Sequence, residues 1–162
     1  MKKILLLLLI ISNVSIASAR KSLEETKDSL SEKLNVKELE QKLSQKLSLR
    51  DEIAVRLILG EYYTHYDMKK SLSFAASVFQ PAKRIMGFDT IYAKESIVNA
   101  SLVSAYMYMS MGKIEEAMAK AYLALETAES INFKIGIART YSILALIEDS
   151  QSNTSKMIEL NY

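Results

Sequence analysis

The chain has 162 residues, with 21 lysines and arginines against 19 aspartates and glutamates, and it contains no cysteine. This length suits one domain. The lack of cysteine excludes a disulfide framework, thiolate metal sites, cysteine nucleophiles and a lipid-modified N-terminal cysteine. Only four glycines and one proline accompany many helix-favouring residues, so the composition predicts an all-α protein.

Residues 1–19 have the three parts of a secretion signal. Lys2 and Lys3 form a basic start, an apolar run covers 4–11, and 17–19 read Ala-Ser-Ala, which fits the small-x-small cleavage rule. The apolar run is shorter than the roughly 20 residues that span a bilayer, and an N-terminal membrane anchor is the alternative. We therefore expect an exported protein, periplasmic or extracellular, with no stable membrane anchor after signal removal.

The mature chain is expected to have balanced charge. Removal of Lys2 and Lys3 would leave 19 basic side chains against 19 acidic ones. Nucleic-acid binding needs a surplus of Lys and Arg to neutralise phosphates. We therefore expect no nucleic-acid partner.

Residues 20–47 are predicted to form charged amphipathic helices. Asn35 followed by Glu38 is a capping-box pattern, which predicts a helix start. Leucines lie on thin apolar stripes at Leu23, Leu30, Leu34, Leu39, Leu43 and Leu47. Two interpretations remain, a helical cap on the following domain or a short coiled coil that dimerises the protein. The stripe is shorter than a coiled coil needs, which favours the cap.

Residues 48–88 are predicted to hold two helices. Ser48 with Asp51 begins the first, which runs to about Tyr66, and Asp67 caps the second. The second helix contains Pro81, which should kink it. We expect Gly87 to end it in the left-handed conformation.

Three further elements follow the same logic. Asp89 is predicted to cap a helix from about Thr90 to Met111, and Gly112 ends it. Residues 113–131 are predicted to form the most regular amphipathic helix, with Asn132 as a left-handed terminator. A last helix spans about 134–149. The polar segment 151–155 predicts a turn, after which Met157 could begin another helix.

A pattern of small residues and tyrosines recurs along the chain. The first copy consists of Leu59-Gly60 and Tyr63, followed by Ala76. The second copy begins about 45 residues later with Ala105 and Tyr108, and three spaced alanines follow it, Ala117, Ala121 and Ala124. A third copy begins with Tyr141, Leu144 and Ala145. The pattern resembles the tetratricopeptide repeat family, in the long-helix variant found in bacterial signalling proteins. A generic helical bundle with chance alanine spacing is the alternative.

The resemblance implies antiparallel helix pairs stacked as a short right-handed solenoid. The repeats would cover about 50–88 and 90–132, with an incomplete one at 134–162. The copies are about 45 and 40 residues apart where the family has 34, so the helices should be longer. Leu72 stands where the family carries alanine, which puts the packing of the first copy in question.

The sequence offers no catalytic constellation. His65 is the only histidine, and no nucleophile triad, metal-ligand spacing or phosphate loop surrounds it. We expect no enzymatic activity, no cofactor and no metal. In the family, ligands lie in the groove lined by the first helix of each pair. The resemblance places these residues in that groove: Leu57, Glu61, Thr64, His65, Asn99, Leu102, Tyr106, Met109 and Arg139.

Together these features predict an exported tetratricopeptide-like scaffold that binds a protein or peptide in its concave groove. The alternative is a truncated extracytoplasmic sensor segment of a signalling or transcription-regulating protein that contains such repeats. Solenoids normally end in a polar cap, and the unfinished third copy lacks one. Its open C-terminal end would therefore allow self-association.

Overall fold

The computed structural model describes residues 22–33 and 35–160, with side chains described through residue 152. The predicted secretion signal at 1–19 and Leu34 lie outside the described residues. The described residues form α-helices and no strand, so the all-α prediction is confirmed. The helices are α1 Leu23–Ser31, α2 Val36–Lys42, α3 Leu49–Tyr63, α4 Met68–Ser77, α5 Phe79–Ile85, α6 Thr90–Ser110, α7 Ile114–Ser130 and α8 Lys134–Leu160.

Local capping explains where most helices begin. The side chains of Asn35, Ser48, Asp67 and Asp89 each accept a hydrogen bond from the backbone N–H three residues later, as predicted. These bonds satisfy amide groups that have no partner inside the helix. Ser22 forms a further capping box at the start of α1.

The helix ends agree only in part with the predictions. Gly112 and Asn132 adopt the expected left-handed conformation, with φ of 72° and 54°. The prediction for Gly87 is wrong, since its φ is not positive. The chain instead leaves α5 by a turn in which the amides of Phe88 and Asp89 both donate to the carbonyl of Ile85, at 2.9 Å each.

The predicted kink at Pro81 and the predicted turn at 151–155 also differ from the structure. The predicted helix with Pro81 in its interior is interrupted at Val78, so Pro81 lies in the first turn of α5. Proline is tolerated there because that amide has no intrahelical partner. The predicted turn at 151–155 is wrong, since α8 continues through it. The segment is polar but contains neither glycine nor proline.

The longer helices pack against their neighbours along the chain. α3 contacts α4 and α6, and α4 contacts α6; α6 then contacts α7 and α8, and α7 contacts α8. We call α3 with α4 the first helix pair and α6 with α7 the second helix pair. One core cluster gathers around Ile53, Leu57 and Ala93, and another joins Ala105 and Ala121 to Ile147 of α8.

The N-terminal helices pack on α3. Leu23 of α1 is 1% exposed and belongs to the same cluster as Ile53. Leu39 of α2 is 2% exposed and packs with Val55 and Leu59. The described leucines of this stripe therefore pack within the chain.

Polar contacts join the starts of α3 and α6. The guanidinium of Arg50 pairs with the carboxylate of Asp89 and lies 4.3 Å from the centroid of the Tyr92 ring. The Tyr92 hydroxyl donates to the carbonyl of Arg50 at 2.9 Å. Burial raises the pKa of this phenol to about 12, so it remains a donor across the physiological pH range.

The small-residue contact of the first helix pair lies one residue earlier than predicted. Ala75 is 1% exposed and Ser71 is fully buried, whereas the predicted Ala76 is exposed. The Ser71 hydroxyl donates to the carbonyl of Gly60 at 2.8 Å. In the second helix pair the predicted residues are all fully buried: Ala105, Ala117, Ala121 and Ala124.

The third copy of the pattern is not buried in the same way. Tyr141 is 56% exposed and Ala145 is exposed, while Leu144 is partly buried. On α8 the side chains of Thr140 and Ile147 are instead fully buried, and Ile147 packs with Ala117 and Ala121 of α7. The third copy therefore exposes its tyrosine, whereas Tyr63 and Tyr108 of the first two copies are partly buried.

Candidate functional site

A cleft of about 450 Å³ opens between α1, α3 and α8. It is lined by Glu24, Lys27, Asp28, Ser31, Ile58, Glu61 and Arg139. Charged side chains from three separate helices therefore converge on one concavity around a single apolar residue. We call this the α1–α3–α8 cleft.

Lys27 is the most buried charge of the cleft. Its side chain is 10% exposed, and its ammonium lies 2.7 Å from a carboxylate oxygen of Glu61 and 3.7 Å from one of Glu24. A cation this deeply buried needs such partners. The pairing fixes the position of Glu61, which is 40% exposed and faces the cleft.

Arg139 enters the cleft from α8 and is held from α6. Its Nη1 donates to the side-chain oxygen of Asn99 at 3.3 Å, and the Asn99 amide nitrogen donates to the carbonyl of Glu95 at 2.9 Å. Asn99 is 3% exposed. A guanidinium has five N–H donors, so the Asn99 bond can orient Arg139 while leaving it able to bind a ligand.

The cleft carries a small excess of negative charge. Its lining has carboxylates on Glu24, Asp28 and Glu61 against cations on Lys27 and Arg139. Burial raises the pKa of the nearby Glu95 carboxyl, and the negative charges of Glu24 and Asp89 raise it further. The larger cause of this rise is the burial of Glu95 itself, and the two carboxylates add to it.

Two of the nine predicted groove residues line the cleft, and a third supports it. Glu61 and Arg139 lie at its wall. Asn99 holds Arg139 from beneath. Residues on different predicted repeats are thus brought together by α6, although they are far apart in sequence.

Leu57 and Leu102 are core residues, and their assignment to a groove is wrong. Leu57 is 0% exposed and packs with Ile53 and Val78. Leu102 is 9% exposed and packs with Val98 and the alanines of α7. The cluster around Leu57 also contains Ala82 and Ile85 of α5, the helix that follows the break at Val78.

The remaining predicted residues lie outside the cleft lining. The Thr64 hydroxyl donates to the carbonyl of Glu61 at 2.7 Å and so caps α3. His65 follows it on an exposed turn. Tyr106 is 36% exposed, and Met109 packs against the cluster of Ala105 and Ala117. These four residues do not converge with Arg139.

Sequence reasoning missed the contribution of α1. The segment 20–47 was interpreted as a helical cap or a short coiled coil, and it supplies Glu24, Lys27, Asp28 and Ser31. One signal was present in the sequence. Lys27 follows Leu23 by four residues, which places a charge beside the apolar stripe of an amphipathic helix, where a buried partner is needed.

A tyrosine cluster covers the exposed end of α3. The rings of Tyr62 and Tyr66 stack with centroids 4.8 Å apart, and Tyr63 stacks on Phe74 at 5.8 Å. The Tyr63 hydroxyl donates to Glu40 at 2.7 Å, which ties α3 to α2. Tyr63 is therefore structural, whereas Tyr66 is 71% exposed.

A second cleft of about 410 Å³ lies between α5, α6 and α7, on a different set of helix faces. Its lining combines four apolar side chains, Phe79, Met86, Ile97 and Leu123, with five polar ones. Lys94 donates to the Ser130 hydroxyl at 2.9 Å, and Lys120 lies 5.4 Å from the Phe79 ring centroid. It has fewer converging polar groups than the α1–α3–α8 cleft.

Within the described ranges, no group of three or more His, Asp or Glu side chains could hold a metal ion. None of the helices among the described residues combines the length and apolar character needed to cross a bilayer. No family model, curated protein or solved structure matches this chain.

Proposed function

We propose that the chain is a short tetratricopeptide-like scaffold that binds an extended peptide segment of another protein in the α1–α3–α8 cleft. The observation that carries the proposal is the convergence of Glu61 and Arg139, from helices 78 residues apart in sequence, on one open concavity. The proposal includes no catalytic step.

The order of helix contacts supports the repeat architecture. The relation of α3 to α4 and α6 recurs as the relation of α6 to α7 and α8. In a helical solenoid each repeat contacts its neighbours in this way, and the equivalent helices line one surface. In this arrangement α3, α6 and α8 would be the first helices of successive repeats, and the cleft opens between two of them.

The chemistry of the cleft suits a peptide backbone. Arg139 can donate to a carbonyl or carboxylate oxygen, whereas Glu61 and Asp28 can accept from amide groups or basic side chains. Ile58 supplies an apolar contact beside them. Because Lys27 and Asn99 already hold Glu61 and Arg139, little ordering would be needed on binding.

The predicted signal at 1–19 adds that binding takes place outside the cytoplasm. We expect the chain in periplasmic extract or culture medium to begin near Arg20. N-terminal mass spectrometry of the secreted chain measures this. A chain that stays in the cytoplasm with its first residues intact would contradict export.

Selection from a random 12-residue peptide library against the full chain tests the binding proposal. We expect the selected peptides to bind wild type, and Arg139→Ala and Asp28→Lys each to weaken binding by about tenfold, since each removes or reverses a charged contact. Isothermal titration calorimetry with a selected peptide measures the loss.

Matched controls are Arg84→Ala and Glu129→Lys, which change exposed residues of α5 and α7 outside the cleft lining. Thermal melting of each variant shows whether it is folded. Selection of no peptide, or of peptides that bind both cleft variants as tightly as wild type, would overturn the proposal.

A further inference from the structure

The outward face of α8 carries large exposed apolar side chains. Ile135 is 61% exposed, Tyr141 is 56% exposed and Leu146 is 48% exposed. The opposite face of the helix carries the fully buried Thr140 and packs on the second helix pair through Ile147. We call the exposed side of residues 134–148 the outer face of α8.

Side chains on the outer face fall into three stripes. An α-helix turns by about 100° per residue, so residues seven apart lie nearly in line and those three or four apart share a face. Small residues occupy the middle stripe, with Lys134, Tyr141 and Glu148 on one side and Ile135 and Leu146 on the other. The members of the middle stripe are Ala138, Ser142 and Ala145, all exposed.

These stripes are self-complementary when read in opposite directions. Lys134 lies seven residues before Tyr141, and Glu148 lies seven residues after it. A two-fold axis at Tyr141 would therefore place Lys134 against the second copy's Glu148, and Tyr141 against the second copy's Tyr141. The axis keeps each flank facing the equivalent flank, because a two-fold contact uses the same patch on both copies.

The other stripes meet in the same register. Ile135 and Leu146 are centred within one residue of Tyr141, as are Ala138 and Ala145. One residue corresponds to about 1.5 Å along the helix, so all three stripes match with a single alignment. The small middle stripe would let the two helices approach closely, and Ile135 would meet the second copy's Leu146.

We propose that two copies of the chain associate through the outer faces of α8, antiparallel and with two-fold symmetry at Tyr141. The complementary charges at equal distances from the centre favour a second copy over an unrelated partner, which would need no such symmetry. Arg139 is turned toward Asn99 and the cleft. The dimer therefore does not rest on the proposed peptide binding.

Sedimentation equilibrium of the full chain tests the dimer. We expect twice the chain mass of 18.3 kDa. Lys134→Glu and Glu148→Lys should each weaken the dimer by about tenfold, because two opposite-charge pairs per dimer become two like-charge contacts. Combining both substitutions in one chain should restore association. An equal mixture of the two single variants should form heterodimers, since every contact then joins opposite charges.

The controls Lys69→Glu and Glu129→Lys reverse exposed charges on α4 and α7 and should leave the dimer unchanged. Circular dichroism melting confirms that each variant is folded. A wild-type chain that stays at 18.3 kDa at the highest concentration would overturn the proposal. A larger assembly would also overturn it. So would a dimer that is insensitive to both single variants, which is the result expected if a segment outside the described residues caused the association.

Discussion

The first and second helix pairs achieve close approach by different means. In the first, a glycine on α3 meets a serine and an alanine on α4, and the Ser71 hydroxyl donates to the Gly60 carbonyl. In the second, alanines on α6 and α7 pack without any such polar bond, and the cluster includes Ala105 and Ala121. A directional bond lies at the small-residue contact of the first pair, whereas the small-residue contact of the second pair consists of alanine packing.

The links between the helices also differ. The first pair has a four-residue link that ends in the capping residue Asp67, whereas the second has a three-residue link through the left-handed Gly112. The buried small residue of the second helix follows Gly60 by 11 positions in the first pair but follows Ala105 by 12 in the second. Similar packing is therefore reached with a register that differs by one residue.

The largest effect is expected for overpacking the second helix pair. Ala121→Leu adds three carbon atoms at a site that is 0% exposed between two alanine-lined helices. We expect a loss of about 3 kcal/mol in the free energy of unfolding, since close-packed helices must separate to admit the side chain. Urea denaturation measures the loss.

The matched control is Ala119→Leu, on the exposed side of the same helix. It should change the free energy of unfolding by less than about 0.5 kcal/mol. Equal losses for the two variants would mean that α7 does not present Ala121 to α6 and α8.

A smaller effect is expected in the first helix pair, and it tests the register directly. Ala75→Leu should lower the free energy of unfolding by about 2 kcal/mol, because Ala75 is 1% exposed but faces a glycine that leaves some room. Ala76→Leu should have little effect, because Ala76 is exposed. The same urea titration measures both. The opposite order would restore the register that the repeat pattern predicts.

Local features of the fold were predictable from the sequence, and features set by tertiary packing were not. Helix starts at Asn35, Ser48 and Asp67 depend on bonds within four residues, so the sequence contains the whole cause. The burial of Ala75 instead of Ala76 depends on the link before α4. The predicted position came from a family pattern with a different repeat length, and that pattern does not account for the length of this link.

The candidate site divides in the same way. Glu61 and Arg139 were predicted because the resemblance places them on equivalent helices. Lys27 was not, since its role depends on where α1 packs, and that contact is 34 residues distant in sequence. Leu57 was misplaced because the break at Val78 creates α5, whose Ala82 and Ile85 share a buried cluster with Leu57.

The smallest expected effect is a gain, from making the first helix pair resemble the second. A Cβ at Gly60 would lie 3.5 Å from the amide nitrogen of Ala75 and 3.7 Å from the Phe74 Cβ, which are ordinary contact distances. Alanine also favours the helical state over glycine, so Gly60→Ala should raise the free energy of unfolding by about 0.5–1 kcal/mol. The control Gly112→Ala should instead lower it by about 1 kcal/mol, because that backbone has φ of +72°. Urea denaturation of both variants measures the difference. A loss at Gly60 comparable to that at Gly112 would contradict this expectation. It would show that the first pair needs glycine itself at position 60 and that alanine cannot replace it beside the Ser71 bond.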